Sequence, residues 1–203
     1  MTLLGLDFDN TLVRYDKLFH QLAVEKGLIE KSVPADKTAI RDYLRSQGRD
    51  EQFTLLQGEV YGLRILEAEP AEGMLEALDE IHQREIPMVI VSHKTRTPYK
   101  GPAFDLHRAA WSWLEKYKFF SADGLSLKKK NVYFEESKGA KISKIIELEC
   151  THYIDDLPEI LNMLPNSIKK YLYDPKKRCN NAYHESYKLT HWQTIKDLDL
   201  KTK

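Results

Sequence analysis

Short apolar runs rich in β-branched residues recur along this chain, and helical patterns lie between them. The runs occupy residues 2–8, 87–92, 131–137 and 152–156, with a weaker fifth at 169–174. They lack strict alternation of apolar and polar residues, which indicates strands buried on both faces of a parallel sheet. Amphipathic stretches separate them at residues 72–85, 104–117 and 137–148. This alternation predicts an α/β fold, a Rossmann-like three-layer sandwich with a central parallel sheet.

Residues 17–69 interrupt the alternation. They contain no strand-like run, only helix-like pieces punctuated by Gly27, Pro34 and Gly48. Because about fifty residues is too long for an ordinary crossover, we expect a small all-helical accessory unit at 17–69, inserted into a core formed by residues 1–16 and 70–203. The C-terminal segment, residues 176–203, is expected to pack against the sheet.

Composition excludes several classes of protein. The chain has 31 basic and 31 acidic side chains, a balance that gives no support for nucleic-acid binding. Its apolar runs are too short to cross a bilayer and its first residues do not resemble a leader, so we expect a cytoplasmic protein without a membrane partner. The two cysteines, Cys150 and Cys179, lack metal-like spacing and predict neither a disulfide framework nor a zinc site.

Polar and charged residues stand where the predicted strands end. Ligands of doubly wound proteins bind at the carboxyl ends of the strands. The residues expected to meet there are Asp7, Asp9, Ser92, Asp155 and Asp156. Lys138, at the start of the helix that follows the third predicted strand, is expected to join them. Four carboxylates cannot all stay ionised in one crevice without a counter-charge. A hard cation is therefore implied, and Mg²⁺ fits best because it takes a few carboxylates together with water and phosphate oxygens.

The order of these motifs resembles the haloacid dehalogenase superfamily along nearly the entire chain. The DxDxT motif is matched by Asp7, Asp9 and Thr11, and the strand ending in a hydroxyl residue by Ser92. The lysine at a helix start and the paired acids after a strand are matched by Lys138 and by Asp155 and Asp156. The insert at 17–69 stands where the superfamily places a cap of the first type, which closes over small substrates.

The resemblance implies a role for each matched residue. Asp7 would be the nucleophile that forms an aspartyl-phosphate, and Asp9 would move the proton. Ser92 and Lys138 would hold the phosphoryl oxygens, although Lys141, one turn along the same helix, competes with Lys138. The Mg²⁺ ligands would come from Asp7, Asp9 (through its backbone carbonyl), Asp155 and Asp156.

The same resemblance narrows the reaction. Members that cleave carbon–halogen bonds lack the second aspartate of the first motif, whereas this chain has Asp9, so we expect a Mg²⁺-dependent phosphatase acting on a small organic phosphomonoester: a sugar phosphate, a sugar-acid phosphate or a nucleotide. A sugar-phosphate phosphomutase and a non-catalytic binding protein of the same fold are the alternatives. The sequence leaves the substrate and the oligomeric state open.

The loop at residues 93–104 is the second expected specificity element, after the cap. It carries His93, Lys94 and Arg96 directly beyond Ser92. Together with Thr11, these three residues are the predicted substrate-binding residues, since cations beside a phosphate site favour a substrate with further negative charge. A solvated loop without a role in binding is an equally good interpretation of the same residues.

Overall fold

A computed structural model describes residues 2–179, 187–198 and 200 of the chain. The strands are β1 (Leu4–Leu6), β2 (Val13–Arg14), β3 (Glu69–Pro70), β4 (Met88–His93), β5 (Val132–Glu135), β6 (His152–Asp155), β7 (Lys169–Tyr173) and β8 (Tyr187–Leu189). The α-helices are α1 (Asp16–Glu25), α2 (Lys37–Ser46), α3 (Asp50–Gly58), α4 (Met74–Gln83), α5 (Leu106–Lys116), α6 (Lys138–Glu147) and α7 (Pro158–Met163). A π-helical turn (Glu59–Leu63) extends α3, and short 3₁₀ turns lie at Ile65–Glu67, Lys129–Asn131 and Trp192–Asp197. Among the described residues, no helix combines the length and the apolar character needed to cross a membrane.

Within the described residues, six strands form one sheet in the order β5-β4-β1-β6-β7-β8. Every pairing in this sheet is parallel, which confirms the predicted α/β class with a central parallel sheet. All five predicted strands are present: four have shorter bounds, and β4 is shifted by one residue. Strand β8 is an additional edge strand. The centre of the sheet is tightly packed: a Cβ on Gly5 would lie 2.5 Å from the ring of Tyr153.

The first compact unit comprises residues 1–13, 70–94 and 118–203 and contains this sheet. Its core includes Val91, Ile145, Tyr153 and Ile160, which join the strands to α6 and α7. The described part of the predicted C-terminal segment packs as expected, because β8 pairs with β7 and the buried Trp192 donates a hydrogen bond from Nε1 to the carbonyl of Thr11 at 3.2 Å. Residues 180–186, 199 and 201–203 of that segment lie outside the described residues.

The second compact unit comprises residues 14–69 and 95–117. It contains α1, α2 and α3, as the helical insert predicts, together with the loop after β4 and α5. Two contacts explain why residues 95–117 group with the insert: Nε1 of Trp113 donates to the carbonyl of Ala68 at 2.9 Å, and a Cβ on Gly62 would lie 2.6 Å from Cβ of Phe104. This grouping differs from the predicted core boundary at residues 95–117, and the division into a catalytic core and a cap stays a prediction.

Candidate active site

Asp7 follows β1 directly and is held through both its backbone and its side chain. Its backbone N–H donates to the carbonyl of Ile154 at 3.0 Å. Its Oδ1 accepts hydrogen bonds from Oγ of Ser92 at 2.8 Å and from Nζ of Lys141 at 2.6 Å, while its Oδ2 accepts from Oγ1 of Thr11 at 3.2 Å. Asp7, Ser92 and Lys141 are buried. The structure thus fixes the orientation of one carboxylate with a cation and two hydroxyl groups.

Asp155, the last residue of β6, shares the ammonium of Lys141 with Asp7. Its Oδ2 lies 2.6 Å from Nζ of Lys141, and its Oδ1 accepts the backbone N–H of Leu157 at 2.9 Å. Burial raises the pKa of the Asp155 carboxyl, and the nearby charge of Asp7 raises it further, against the opposing effect of Lys141. Burial by itself lowers the pKa of Lys141, but the charges of the two carboxylates outweigh it and hold that pKa above its ordinary value. Lys141 is therefore protonated, and its single positive charge is shared by two buried carboxylates.

A third carboxylate completes the cluster. One oxygen from each of Asp7, Asp155 and Asp156 lies within 4.8 Å of the others, and the ammonium of Lys141 contacts two of these acids, Asp7 and Asp155. Carboxylate oxygens are the ligands that hard divalent cations prefer, and Mg²⁺ commonly takes one to three carboxylates plus water and phosphate oxygens. The residues present fit such an ion in both donor type and charge. Asp9 does not contribute its side chain to this cluster.

Asp9 lies in the turn after Asp7 and makes a separate ion pair. Asn10 adopts a left-handed conformation there (φ 59°), which asparagine tolerates better than most residues. The two carboxylate oxygens of Asp9 lie 2.9 and 2.7 Å from Nζ of Lys94. Lys94, predicted to bind substrate, thus contacts the second aspartate of the DxDxT motif.

The structure places Lys141, and not the predicted Lys138, against Asp7. Lys138 is the first residue of α6 and is half-buried, with its ammonium 2.5 Å from Glu159, whereas Lys141 reaches both Asp7 and Asp155. Side chains on a helix tilt toward its N-terminus, and α6 begins at the strand ends. The lysine one turn inside the helix therefore extends back into the crevice, while the lysine at its first position extends beyond it.

The other two predicted substrate-binding residues do not join the cluster around Asp7. His93 is the last residue of β4 and is half-buried. Arg96 belongs to the second compact unit, where its guanidinium lies 3.3 Å from the carboxylate of Asp105. Asp105 also caps α5 by accepting the backbone N–H of Arg108. For both residues, substrate binding stays a prediction.

No protein-family model matches this sequence, and no curated protein matches it. Solved structures do match. A haloacid dehalogenase-like hydrolase from Burkholderia xenovorans has a TM-score of 0.57 and 16% identity over 98% of this chain and 96% of its own. A protein described as a dehalogenase has a TM-score of 0.58 and 11% identity over 100% and 98% of the two chains. A phosphoserine phosphohydrolase-like protein from Francisella tularensis has a TM-score of 0.52 and 12% identity over 97% and 99%.

These neighbours define the fold. The chain has the α/β fold of the haloacid dehalogenase-like hydrolases, with the central parallel sheet that the strand pattern predicts. At these identities the likeness shows the fold alone. Because the neighbours include both a dehalogenase and a phosphohydrolase-like protein, the reaction has to be argued from the site.

Proposed function

We propose that this protein is a Mg²⁺-dependent phosphatase that hydrolyses a small organic phosphomonoester through an aspartyl-phosphate on Asp7. One observation carries the proposal: the Asp7 carboxylate lies 2.6 Å from the Lys141 ammonium and within 4.8 Å of two further carboxylates. A carboxylate is ionised at neutral pH and can attack phosphorus without a base to activate it. Because two buried carboxylates share one ammonium, the site suits a divalent cation, and that cation would supply the positive charge that an anionic phosphoryl group requires.

Each proposed step uses groups of this chain. Asp7 attacks phosphorus, the bond from phosphorus to the leaving oxygen breaks, and Asp9 gives that oxygen a proton. Water then attacks the same phosphorus and passes its proton to Asp9, and the bond from Asp7 to phosphorus breaks to release inorganic phosphate. Ser92 and Lys141 hold the phosphoryl oxygens. Asp7, Asp155 and Asp156 would hold a Mg²⁺ ion, which when bound would supply positive charge for the phosphoryl group.

Asp9 favours phosphoester over carbon–halogen cleavage. A halide leaves as a stable anion, whereas an alkoxide needs a proton as it departs, and a second acid near the nucleophile supplies it. Asp9 is two residues from Asp7, and its side chain is about one quarter exposed, at 23%. The Asp9 side chain is thus partly accessible to solvent, while Asp7 is held in the buried cluster.

The test is hydrolysis of p-nitrophenyl phosphate with Mg²⁺ and with EDTA. We expect activity that requires the metal, and Asp7→Asn should lower kcat by at least about 10³-fold because the nucleophile is lost. Asp79→Asn is the matched control: it removes an exposed carboxylate on α4 and should leave kcat unchanged.

Three results would contradict the phosphatase. The first is a folded wild-type protein that releases no phosphate from a panel of sugar phosphates, sugar-acid phosphates and nucleotides. The second is release of halide from 2-chloropropionate in place of phosphate. The third is isomerisation of a sugar phosphate that depends on a bisphosphate primer. A variant Asp7→Asn that keeps wild-type kcat would contradict the assigned nucleophile.

A further inference from the structure

Lys94 is anchored on several sides. It follows β4, and its backbone N–H donates to the carbonyl of Glu135 at 2.8 Å, which extends the pairing of β4 with β5. Its ammonium lies 5.4 Å from the ring centroid of Phe8, within the range of a cation–π contact. Nζ also binds both oxygens of Asp9, at 2.9 and 2.7 Å. The position of this ammonium is therefore set by the sheet and by the ring of Phe8.

Exposure differs sharply between the two partners of this ion pair. The Lys94 side chain is 2% exposed, whereas that of Asp9 is 23% exposed. A ligand arriving from solvent therefore meets the carboxylate before the ammonium. This arrangement is unlike the predicted role of Lys94 as a substrate-binding residue, for which the ammonium itself would have to be accessible.

We propose that Lys94 is a positioning residue for Asp9. Its ammonium holds both carboxylate oxygens in one orientation, from which Asp9 would exchange a proton with the leaving oxygen and then with water. This inference rests on the proposed phosphatase function. An aspartate at the end of an unrestrained turn can rotate about two side-chain bonds, and a displacement of about 1 Å in a catalytic group can cost about 10²-fold in rate.

Three roles for Lys94 predict different kinetics. A positioning residue that acts through Asp9 matters most when the leaving group needs a proton. A residue that binds the phosphoryl group affects every phosphomonoester equally, because that group is common to all of them. A purely structural residue also lowers kcat/KM equally for all substrates, through the fraction of folded protein.

The experiment compares Lys94→Met with wild type on phenyl phosphate and p-nitrophenyl phosphate. These two substrates have similar shapes, but p-nitrophenolate leaves without needing a proton and phenolate is a poorer leaving group. The parameter is kcat/KM, because it reports the step in which the leaving group departs. We expect kcat/KM for phenyl phosphate to fall by about 10²-fold, in the range that general acid catalysis contributes, and that for p-nitrophenyl phosphate to fall less than about tenfold.

A second variant tests whether the effect passes through Asp9. In the Asp9→Asn background, Lys94→Met should lower kcat/KM little further, since residues that act as a unit are not additive. Lys170→Met is the control for loss of a buried lysine: its ammonium contacts Asn166 at 3.3 Å near the start of β7, and its kinetics should match wild type.

The outcomes separate this inference from the proposed function. If wild type hydrolyses both aryl phosphates and Lys94→Met lowers kcat/KM equally for the two, the positioning role is wrong and the phosphatase proposal is unaffected. Additive losses in the double variant would overturn the positioning role as well. Wild type that hydrolyses no phosphomonoester would overturn the phosphatase, and the role of Lys94 in that reaction with it.

Discussion

The ammonium of Lys141 lies between two buried carboxylates, those of Asp7 and Asp155, at 2.6 Å from each. Breaking a buried ion pair by removing one partner leaves an uncompensated charge, which is far more costly than losing an exposed pair. Lys138, one turn earlier on α6, makes a solvent-exposed ion pair with Glu159. Such pairs contribute little to folding stability. The same helix therefore offers the proposed phosphate-site lysine and a matched control.

We predict that Lys141→Met abolishes most activity and that Lys138→Met does not. Loss of a charged group that stabilises the transferring phosphoryl group should lower kcat by at least about 10²-fold, whereas Lys138→Met should stay within about twofold of wild type. Steady-state kinetics on p-nitrophenyl phosphate measures both, with circular dichroism to verify folding. The reverse result, a large loss in Lys138→Met alone, would restore the sequence-based assignment of Lys138.

At the scale of the element, α6 and β1 depend on glycine in different ways. In β1, a Cβ on Gly5 would lie 2.5 Å from the ring of Tyr153 and 3.1 Å from Sγ of Cys150. In α6, a Cβ on Gly139 would meet nothing within 4 Å. The first glycine is required by the packing of the sheet, while the second only lowers the stability of a helix, because glycine loses more backbone entropy than alanine on folding.

Substitution of each glycine by alanine should therefore change stability in opposite directions. Gly5→Ala overpacks the sheet and should lower the free energy of unfolding by about 1–3 kcal/mol. Gly139→Ala should raise it by about 0.5 kcal/mol. Urea denaturation followed by circular dichroism measures both values. Equal stability of Gly5→Ala and wild type would show that Tyr153 moves aside at little cost.

Much of the element pattern could be predicted from sequence, because buried strands and amphipathic helices have distinct apolar patterns. The strands that lead to Asp7, Ser92 and Asp155 were all identified in this way. Strand β8 was not, because its sequence, Tyr-Lys-Leu, does not form an apolar run. Its pairing with β7 is a tertiary contact that no local signal encodes.

At the scale of the whole molecule, the carboxylate cluster gathers acids from β1 and β6, which are neighbours in the sheet but about 150 residues apart in the chain. Bringing such charges together opposes folding unless they are neutralised. A cation that binds the folded chain and not the unfolded chain stabilises the folded state by mass action. Binding of a cation at this site should therefore raise the free energy of unfolding of the protein.

We predict that Mg²⁺ raises the melting temperature. At a concentration 100 times the dissociation constant, the gain is about 2.7 kcal/mol, which for a chain of this size corresponds to a shift of roughly 5–10 °C. Asp156→Asn should remove most of the shift, and Glu159→Gln, which changes an exposed acid on α7, should retain it. Differential scanning calorimetry with Mg²⁺ and with EDTA makes the comparison, and an equal shift in Asp156→Asn would contradict the assigned ligand.

The sequence by itself determined the fold class and the residue types at the strand ends. Burial imposes an apolar pattern on each strand, so polar and charged residues at the end of such a run are easy to recognise. Asp7, Asp9, Ser92, Asp155 and Asp156 were identified on that basis. Only the tertiary structure decided that Lys141 rather than Lys138 reaches Asp7, that Lys94 binds Asp9, and that residues 95–117 pack with the helical insert. These outcomes depend on how far each helix is displaced along the sheet and on which side chains meet across loops, and such distances are set by packing between segments remote in sequence.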